Sequence, residues 1–221
     1  MYKSYFFLEG AQGIDPFCMR AQEAADAFSD LLPEAAGYVQ TRTLTEAVDA
    51  AEPAPFLGIA ELWFADKSFA LDSARQARLL GSLLTPDVRV GPVVTGRART
   101  VMRLPDHHQV GSIKGVFPFR RLARLTVAEF QRYWWLNHGP IAAQTEQALY
   151  YLQCHPLAES YTSGLPPYDG ITELHWRDIE TAKKAMNSRQ MTQDQSQDAK
   201  NFVDTNSVLL FFAHEEIVLE A

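Results

Sequence analysis

Cysteine is scarce in this 221-residue chain: Cys18 and Cys154 are the only two, and no CxxC spacing joins them. A disulfide-stapled scaffold and a thiolate zinc site are thereby excluded, and free thiols in a cytoplasmic protein are expected. An excess of basic charge is lacking as well. Lys and Arg number 20 against 27 Asp and Glu, for a formal net charge of −7, so no electrostatic footprint for nucleic acid exists. The densest basic stretch, Arg120, Arg121 and Arg124, reads as a solvated turn rather than a phosphate site. Long apolar runs are missing too. The aromatic stretch within Met1 to Leu8 is too short for a signal h-region or a membrane span. There is no Gly-rich dinucleotide loop, no Walker sequence and no metal-ligand spacing. His107 and His108 are adjacent, but without further ligands they read as solvent-facing linker residues rather than a metal site. No metal and no cofactor are expected.

What is present is an ordinary globular composition, 47% hydrophobic and 21% charged, in a chain long enough to bury a core unaided. Its 13 Phe, 8 Tyr and 4 Trp suit a core first and a pocket for a flat organic molecule second.

The informative feature is an internal repeat. Pro55-Phe56-Leu57-Gly58-Ile59-Ala60-Glu61-Leu62-Trp63-Phe64-Ala65-Asp66 aligns with Pro167-Tyr168-Asp169-Gly170-Ile171-Thr172-Glu173-Leu174-His175-Trp176-Arg177-Asp178. Identities fall at Pro, Gly, Ile, Glu, Leu and the final Asp. Upstream, Tyr38-Val39-Gln40-Thr41-Arg42 aligns with Tyr151-Leu152-Gln153-Cys154-His155, and the spacing between blocks differs by one residue in the two halves.

Each half reads as β-α-β-β-α-β. Strands are predicted near 5–8 and 113–119, at both Tyr-x-Gln blocks, at both Gly-Ile-x-Glu-Leu blocks, and near 92–104 and 207–219. Helices are predicted near 16–32, 68–84 and 179–191. Another begins at a capping box formed by Thr126 and Glu129 and carries Phe130, Trp134 and Ile141 at helical spacings. Such units are α+β, an antiparallel sheet with helices on one face. The other face needs cover, and two copies in one chain supply it by packing their sheets into one intramolecular α+β barrel. The polar linker Pro105-Asp106-His107-His108-Gln109 places the boundary between 1–105 and 106–221.

The second half resembles the EthD family of the dimeric α+β barrel superfamily. The likeness is carried by Arg124-Leu125-Thr126-x-x-Glu129-Phe130-x-x-Tyr133-Trp134-x-x-x-His138-Gly139-Pro140-Ile141, then Tyr151-x-Gln153-x-His155 and Tyr168-Asp169-Gly170-Ile171-x-Glu173-Leu174. The first half lacks the Thr-x-x-Glu-Phe and His-Gly-Pro blocks and looks like a degenerate copy. The resemblance implies a ferredoxin-like fold, and either a monomeric pseudo-dimer or a homodimer. The superfamily holds cyclases, isomerases, monooxygenases and haem proteins, so it fixes a reaction poorly.

Among candidate site residues His138 ranks first. Gly139-Pro140 should end or kink its helix and turn the imidazole toward the space between helix and sheet. An imidazole can also simply cap a helix end. His155 and His175 follow. Tyr151, Gln153 and His155 share one strand face, as do Ile171, Glu173 and His175. If the two faces coincide, His138, His155, His175 and Tyr151 form a catalytic set, with Gln153, Glu173, Tyr133 and Trp134 binding substrate. Glu61 repeats Glu173 in the half without the signature, so a carboxylate kept in both halves also reads as a tie between the sheets. Tyr133 and Trp134 would by default be packing residues. Cys154 and His155 are adjacent in a strand and should face opposite ways, which argues against a Cys–His pair. The expected function is a cofactor-independent lyase, isomerase or cyclase using histidine acid–base chemistry on a hydrophobic aromatic or polycyclic carbonyl compound. The alternatives are a non-catalytic binding protein for such a molecule and, behind it, a haem or oxygen-using enzyme.

Overall fold

A computed structural model describes residues 1–44, 55–105, 107, 111–162 and 164–220. Asp106, His108 and Gln109 of the linker lie outside the described residues, and with them the expected domain boundary. The elements run β1 (Tyr2–Glu9), α1 (Ala21–Leu31), β2 (Gly37–Thr43), β3 (Gly58–Phe64), α2 (Lys67–Ala70), α3 (Ser73–Leu80) and β4 (Arg89–Arg103). They continue with β5 (Ile113–Arg121), α4 (Val127–Tyr133), a π-helical turn Trp134–His138, α5 (Gly139–Ala142), β6 (Tyr150–Pro156), β7 (Gly170–Trp176) and α6 (Ile179–Met186). A second π-helical stretch Gln190–Gln195, α7 (Ser196–Ala199), the short β8 (Val203–Asp204) and β9 (Phe211–Leu219) complete the chain.

The repeated residues explain much of this. The Asp that closes each shared block caps the helix that follows: Asp66 accepts from the Ser68 N–H at 2.7 Å and Asp178 from the Thr181 N–H at 2.7 Å. Thr126 and Glu129 form the expected reciprocal box, with Glu129 N to Thr126 Oγ1 at 3.2 Å and Thr126 N to Glu129 Oε2 at 2.8 Å. The helix expected over 68–84 is broken at Leu71–Asp72, where Asp72 caps a fresh start by accepting from Arg75 N. That expected over 179–191 stops at Met186 and resumes as π and α turns.

All pairings among the eight long strands are antiparallel. Order β4-β1-β3-β2 makes one four-stranded unit and β9-β5-β7-β6 the other. The units join through β2–β9 and β4–β6, so a single sheet closes on itself as an eight-stranded barrel. Closure leaves neither unit with a free edge.

Strand alternation then gives two kinds of interior. One face of each strand looks into the barrel, and the other is covered by helices. Inside, Tyr5, Phe7, Ile59, Val94, Val116, Leu152, Cys154, Ile171 and Phe211 pack together. Beside them lies a buried ionic cluster. Lys3 Nζ sits 2.7 Å from Glu61 and 2.5 Å from Glu173; Lys114 Nζ sits 2.5 Å from Glu61 and also pairs with Glu215. Burial opposes the charged ammoniums, yet Glu173 and Glu61 raise the pKa of Lys3. For Glu173, burial works toward the neutral acid, but Lys114 and Lys3 hold it well below the usual carboxylate range. The cluster ties one unit to the other, since Lys3 of β1 reaches Glu173 of β7 and Lys114 of β5 reaches Glu61 of β3.

Candidate active site

On the helix-covered face the two halves differ. In the first, α1 lies flat on the sheet, and Phe28 stacks on Tyr38 at 4.3 Å between ring centroids. Phe6, Leu8, Phe17, Leu32, Leu62 and Phe64 fill the rest. In the second, a cavity of about 340 Å³ remains between sheet and helices. Its walls are Phe117, Phe119, Tyr151, Thr172 and Leu174 from the sheet, and Trp134, His138 and Ala142 from the helix above. Met191, Gln195, Ser196, Ala199, Lys200, Phe202, Val203, Thr205 and Val208 of the α6–β9 connection complete them.

Local sequence explains the hollow. Pro140 has no N–H for the turn before it, and the chain takes a π-helical turn at Trp134–His138 in which the Gly139 N–H bonds Trp134 O. That turn swings His138 inward, as the Gly-Pro pair implied. Gly170 makes room below: a Cβ there would stand 2.7 Å from the Phe119 ring and 2.8 Å from the Trp134 indole. The π-helical Gln190–Gln195 supplies part of the opposite wall, with Gln195 Nε2 tied to Thr145 Oγ1 at 2.9 Å and Gln190 Nε2 to Ile141 O at 2.7 Å.

His138 is 8% exposed. Its Nδ1 lies 2.9 Å from Asp198 Oδ2, and the other carboxylate oxygen accepts from Tyr133 Oη at 2.7 Å. An ionised Asp198 accepts only, so Nδ1 carries the hydrogen and Nε2 offers its lone pair. Burial keeps the His138 pKa below the ordinary imidazole value, and the Asp198 hydrogen bond pulls part of the way back. The imidazole is therefore neutral at pH 7, oriented and basic. Phe202 packs against it at a tilt, with ring centroids 4.9 Å apart.

The remaining predicted residues divide by face, because the β6–β7 register pairs Gln153 with Thr172 and Leu152 with Glu173. Tyr151, Gln153 and His155 thus share the helix-covered face with Thr172 and Leu174, whereas Glu173 and His175 point into the barrel with Leu152 and Tyr150. The expected convergence of all three histidines does not occur. Glu173 is 1% exposed and belongs to the ionic cluster, where a tie between units was the competing expectation; it does not line the cavity. His175, also 1% exposed, is hydrogen-bonded through Nδ1 to His107 Nε2 at 3.2 Å. His107 is itself buried, stacked on Tyr150 at 4.7 Å, and not the solvent-facing linker residue expected. His155 is on the right face but lies outside the cavity lining, tilted against Trp134 at 4.4 Å. Burial, with Arg99 and Arg97 nearby, pushes its pKa down to about 3, too weak a base for catalysis at neutral pH. Gln153 is fully buried and spends its amide on Tyr151, Trp134 and His155 rather than on the cavity. Tyr133 stands behind His138 and reaches Asp198. Tyr151 and Trp134 do line the cavity.

Cys154 faces the barrel interior, opposite in direction to His155. Arg121 pairs with Asp169 at 3.3 Å and Arg124 donates to Asn201 O at 3.2 Å, so both hold loops in place. Among the described residues no group of three or more His, Cys, Asp or Glu could hold a metal ion, and no helix is long and apolar enough to cross a membrane.

Asp198 and Phe202 have no place among the sequence expectations. They lie in the polar run 187–201 and just after it, where a carboxylate looks like any solvated one, and no spacing in the sequence marks them.

Residues 123–206 match the family model described as EthD domain. Those bounds enclose His138, Tyr151 and Asp198. No curated protein matches the chain. Among solved structures, an anthrone oxidase-like protein superposes with a TM-score of 0.57 at 10% identity, covering 100% of this chain and 95% of that one. A mutant chlorite dismutase from Candidatus Nitrospira defluvii superposes with a TM-score of 0.53 at 12% identity, covering 96% and 90%. At such identities the likeness is one of fold: a closed antiparallel barrel with helices outside.

Proposed function

From the premise that residues 123–206 form an EthD domain, we propose that the second-half cavity is the active site of a small-molecule enzyme that moves protons on a hydrophobic carbonyl compound. One observation carries the reading. A neutral, buried His138, its tautomer set by Asp198 at 2.9 Å, faces a largely apolar cavity. A cavity of this size falls at the lower end for ligand sites and suits a molecule of a few fused rings. The name of the anthrone oxidase-like neighbour contains a polycyclic ketone of that shape.

His138 Nε2 takes the proton from the carbon beside the carbonyl. The electron pair of that C–H bond moves to the carbonyl oxygen, and the phenol of Tyr151 donates a hydrogen bond to the enolate. Burial raises the Tyr151 pKa, so the phenol keeps its proton and acts as a donor. The imidazolium, balanced by Asp198, returns the proton at a different atom. Delivery to another carbon is isomerisation, to a departing group lyase chemistry, and to the alkoxide of a new ring cyclisation. None of these steps calls on a cofactor.

The experiment is deuterium wash-in. Tetralone in deuterium oxide exchanges the protons beside its carbonyl when a base is presented, and proton NMR follows the loss. The wild-type protein should accelerate exchange, and His138→Ala should lower the rate roughly a hundred- to ten-thousandfold. Equal rates in the two proteins would remove His138 from the chemistry. Binding without exchange would favour the non-catalytic reading. A haem would also have to rely on His138, the one imidazole lining the cavity among the described residues, and an absorbance band from haem in the purified protein would turn the assignment that way.

A further inference from the structure

His155 is the one predicted catalytic residue that sits beside the cavity without entering it, and its surroundings give it another task. The deduction starts from a group whose polarity is fixed. Trp134 O is a backbone carbonyl and can only accept, so the Gln153 side-chain atom 3.1 Å away is the amide nitrogen. The same nitrogen lies 2.6 Å from Tyr151 Oη and donates to it. Gln153 Oε1 therefore points the other way, 2.9 Å from His155 Nε2, and that nitrogen must carry a hydrogen. His155 Nδ1 is then the bare nitrogen. Among the described residues it has no partner, and a bare buried acceptor is tolerated better than an orphaned N–H.

The polarity runs in one direction along His155, Gln153 and Tyr151. Because Gln153 gives a hydrogen to the phenol oxygen, the phenol's own hydrogen is turned from Gln153 toward the cavity side, where Thr172 also stands against the phenol. Building on the reading of that cavity as a carbonyl site, we propose that His155 is a positioning residue: by donating to Gln153 Oε1 it holds the amide, together with Trp134 O, in the orientation that makes Tyr151 the hydrogen-bond donor to substrate. Were the amide reversed, its oxygen would compete for the phenol hydrogen and face the Trp134 carbonyl, a repulsive contact between two acceptors. His155 is 2% exposed and wedged against Trp134, so its ring does not turn freely.

The first half holds the same device in looser form. Gln40 Nε2 lies 3.4 Å from Tyr38 Oη, and Arg42 Nη2 lies 3.5 Å from Gln40 Oε1. Arg42 can only donate, so the direction is the same, but Phe28 covers Tyr38 and no ligand can use it.

The test uses the full chain and acetylnaphthalene carrying a labelled carbonyl carbon, whose chemical shift moves downfield when the oxygen accepts a hydrogen bond. Bound to the wild-type protein, the carbonyl should lie downfield of its position in Tyr151→Phe. His155→Leu should bind the probe and move its carbonyl shift toward the Tyr151→Phe position, while His155→Gln, which keeps an N–H donor on Oε1 of Gln153, should restore the wild-type shift. A wild-type shift in His155→Leu alongside a loss in Tyr151→Phe overturns the role of His155 and leaves the cavity reading intact. Failure of the probe to bind the wild-type protein, or no change in Tyr151→Phe, removes the cavity reading and the inference together. A second measurement does not depend on any variant folding. The ring nitrogen shifts of His155 in the wild-type protein should report hydrogen on Nε2 and none on Nδ1, and the opposite tautomer would refute the proposal.

Discussion

Tyr38 and Tyr151 hold the same place in the two halves, each two residues before a glutamine that donates to its phenol. One is sealed beneath Phe28, and the other borders a cavity. The sheets beneath are alike, so the difference comes from the covering helices. Residues 21–31 form a regular α-helix whose Ala24, Phe28 and Leu32 side recur at helical spacing and lie flat. In the second half, Pro140 and the stretch 190–195 introduce π-helical turns on both sides of the space. A fold that supports itself through its strands can give up close packing on one helical face, and the hollow left there is bordered by His138 and Tyr151.

Inside the barrel the two halves should behave as equals. Lys3 and Lys114 occupy matching positions on β1 and β5, and each neutralises carboxylates of both units. Replacing Lys114 with Met leaves the buried carboxylates Glu61, Glu173 and Glu215 short of a cation. The expected loss of stability is about 3–5 kcal/mol, read from chemical denaturation. Lys3→Met should cost a similar amount. A marked inequality would show that one unit holds the barrel and the other only follows.

The helical faces should behave as opposites. Phe28→Ala removes a ring enclosed on all sides and should cost about 3 kcal/mol or more. Phe202→Ala removes a ring that already borders the cavity, so fewer contacts are lost and roughly half that cost is expected. The first variant should also open space over Tyr38. Equal costs, measured by denaturation, would mean that the second-half cavity is closed by packing in solution.

The barrel was legible because its signals are local and repeated. Gly-Ile-x-Glu-Leu recurs, an Asp caps the helix after each copy, and Thr126 with Glu129 announces its own helix. His138 was legible because Gly139-Pro140 must disturb a helix. The face shared by His155 and His175 was not, since alternation tells which residues of one strand lie together but not how two strands align. A register that pairs Gln153 with Thr172 sends Glu173 and His175 to the other side. His107 was misread for a similar reason: a linker sequence does not reveal that the end of a barrel will receive it. Asp198 was invisible because its partner lies sixty residues away in sequence, across a polar connection whose carboxylates all look alike.

Asp198 supplies the finest test of the contrast, since it orients an imidazole beside the cavity whereas residues 1–105 contain no histidine at all. Burial lowers the His138 pKa and Asp198 raises it. The base must be neutral to accept a proton, so the exchange rate is at its plateau above the folded His138 pKa and falls as pH drops through it. Asp198→Asn removes the group that raises this pKa, so the acid limb should move to lower pH. The plateau itself should fall about tenfold, because a weaker base drives proton removal less and the amide no longer balances the imidazolium. Arg42→Ala, at the position equivalent to His155 in the closed half, should leave both limb and plateau unchanged. An acid limb that moves upward in Asp198→Asn would mean that Asp198 does not stabilise the charged imidazole, and His138 would then have to owe its orientation to Phe202 and the π-helical turn alone.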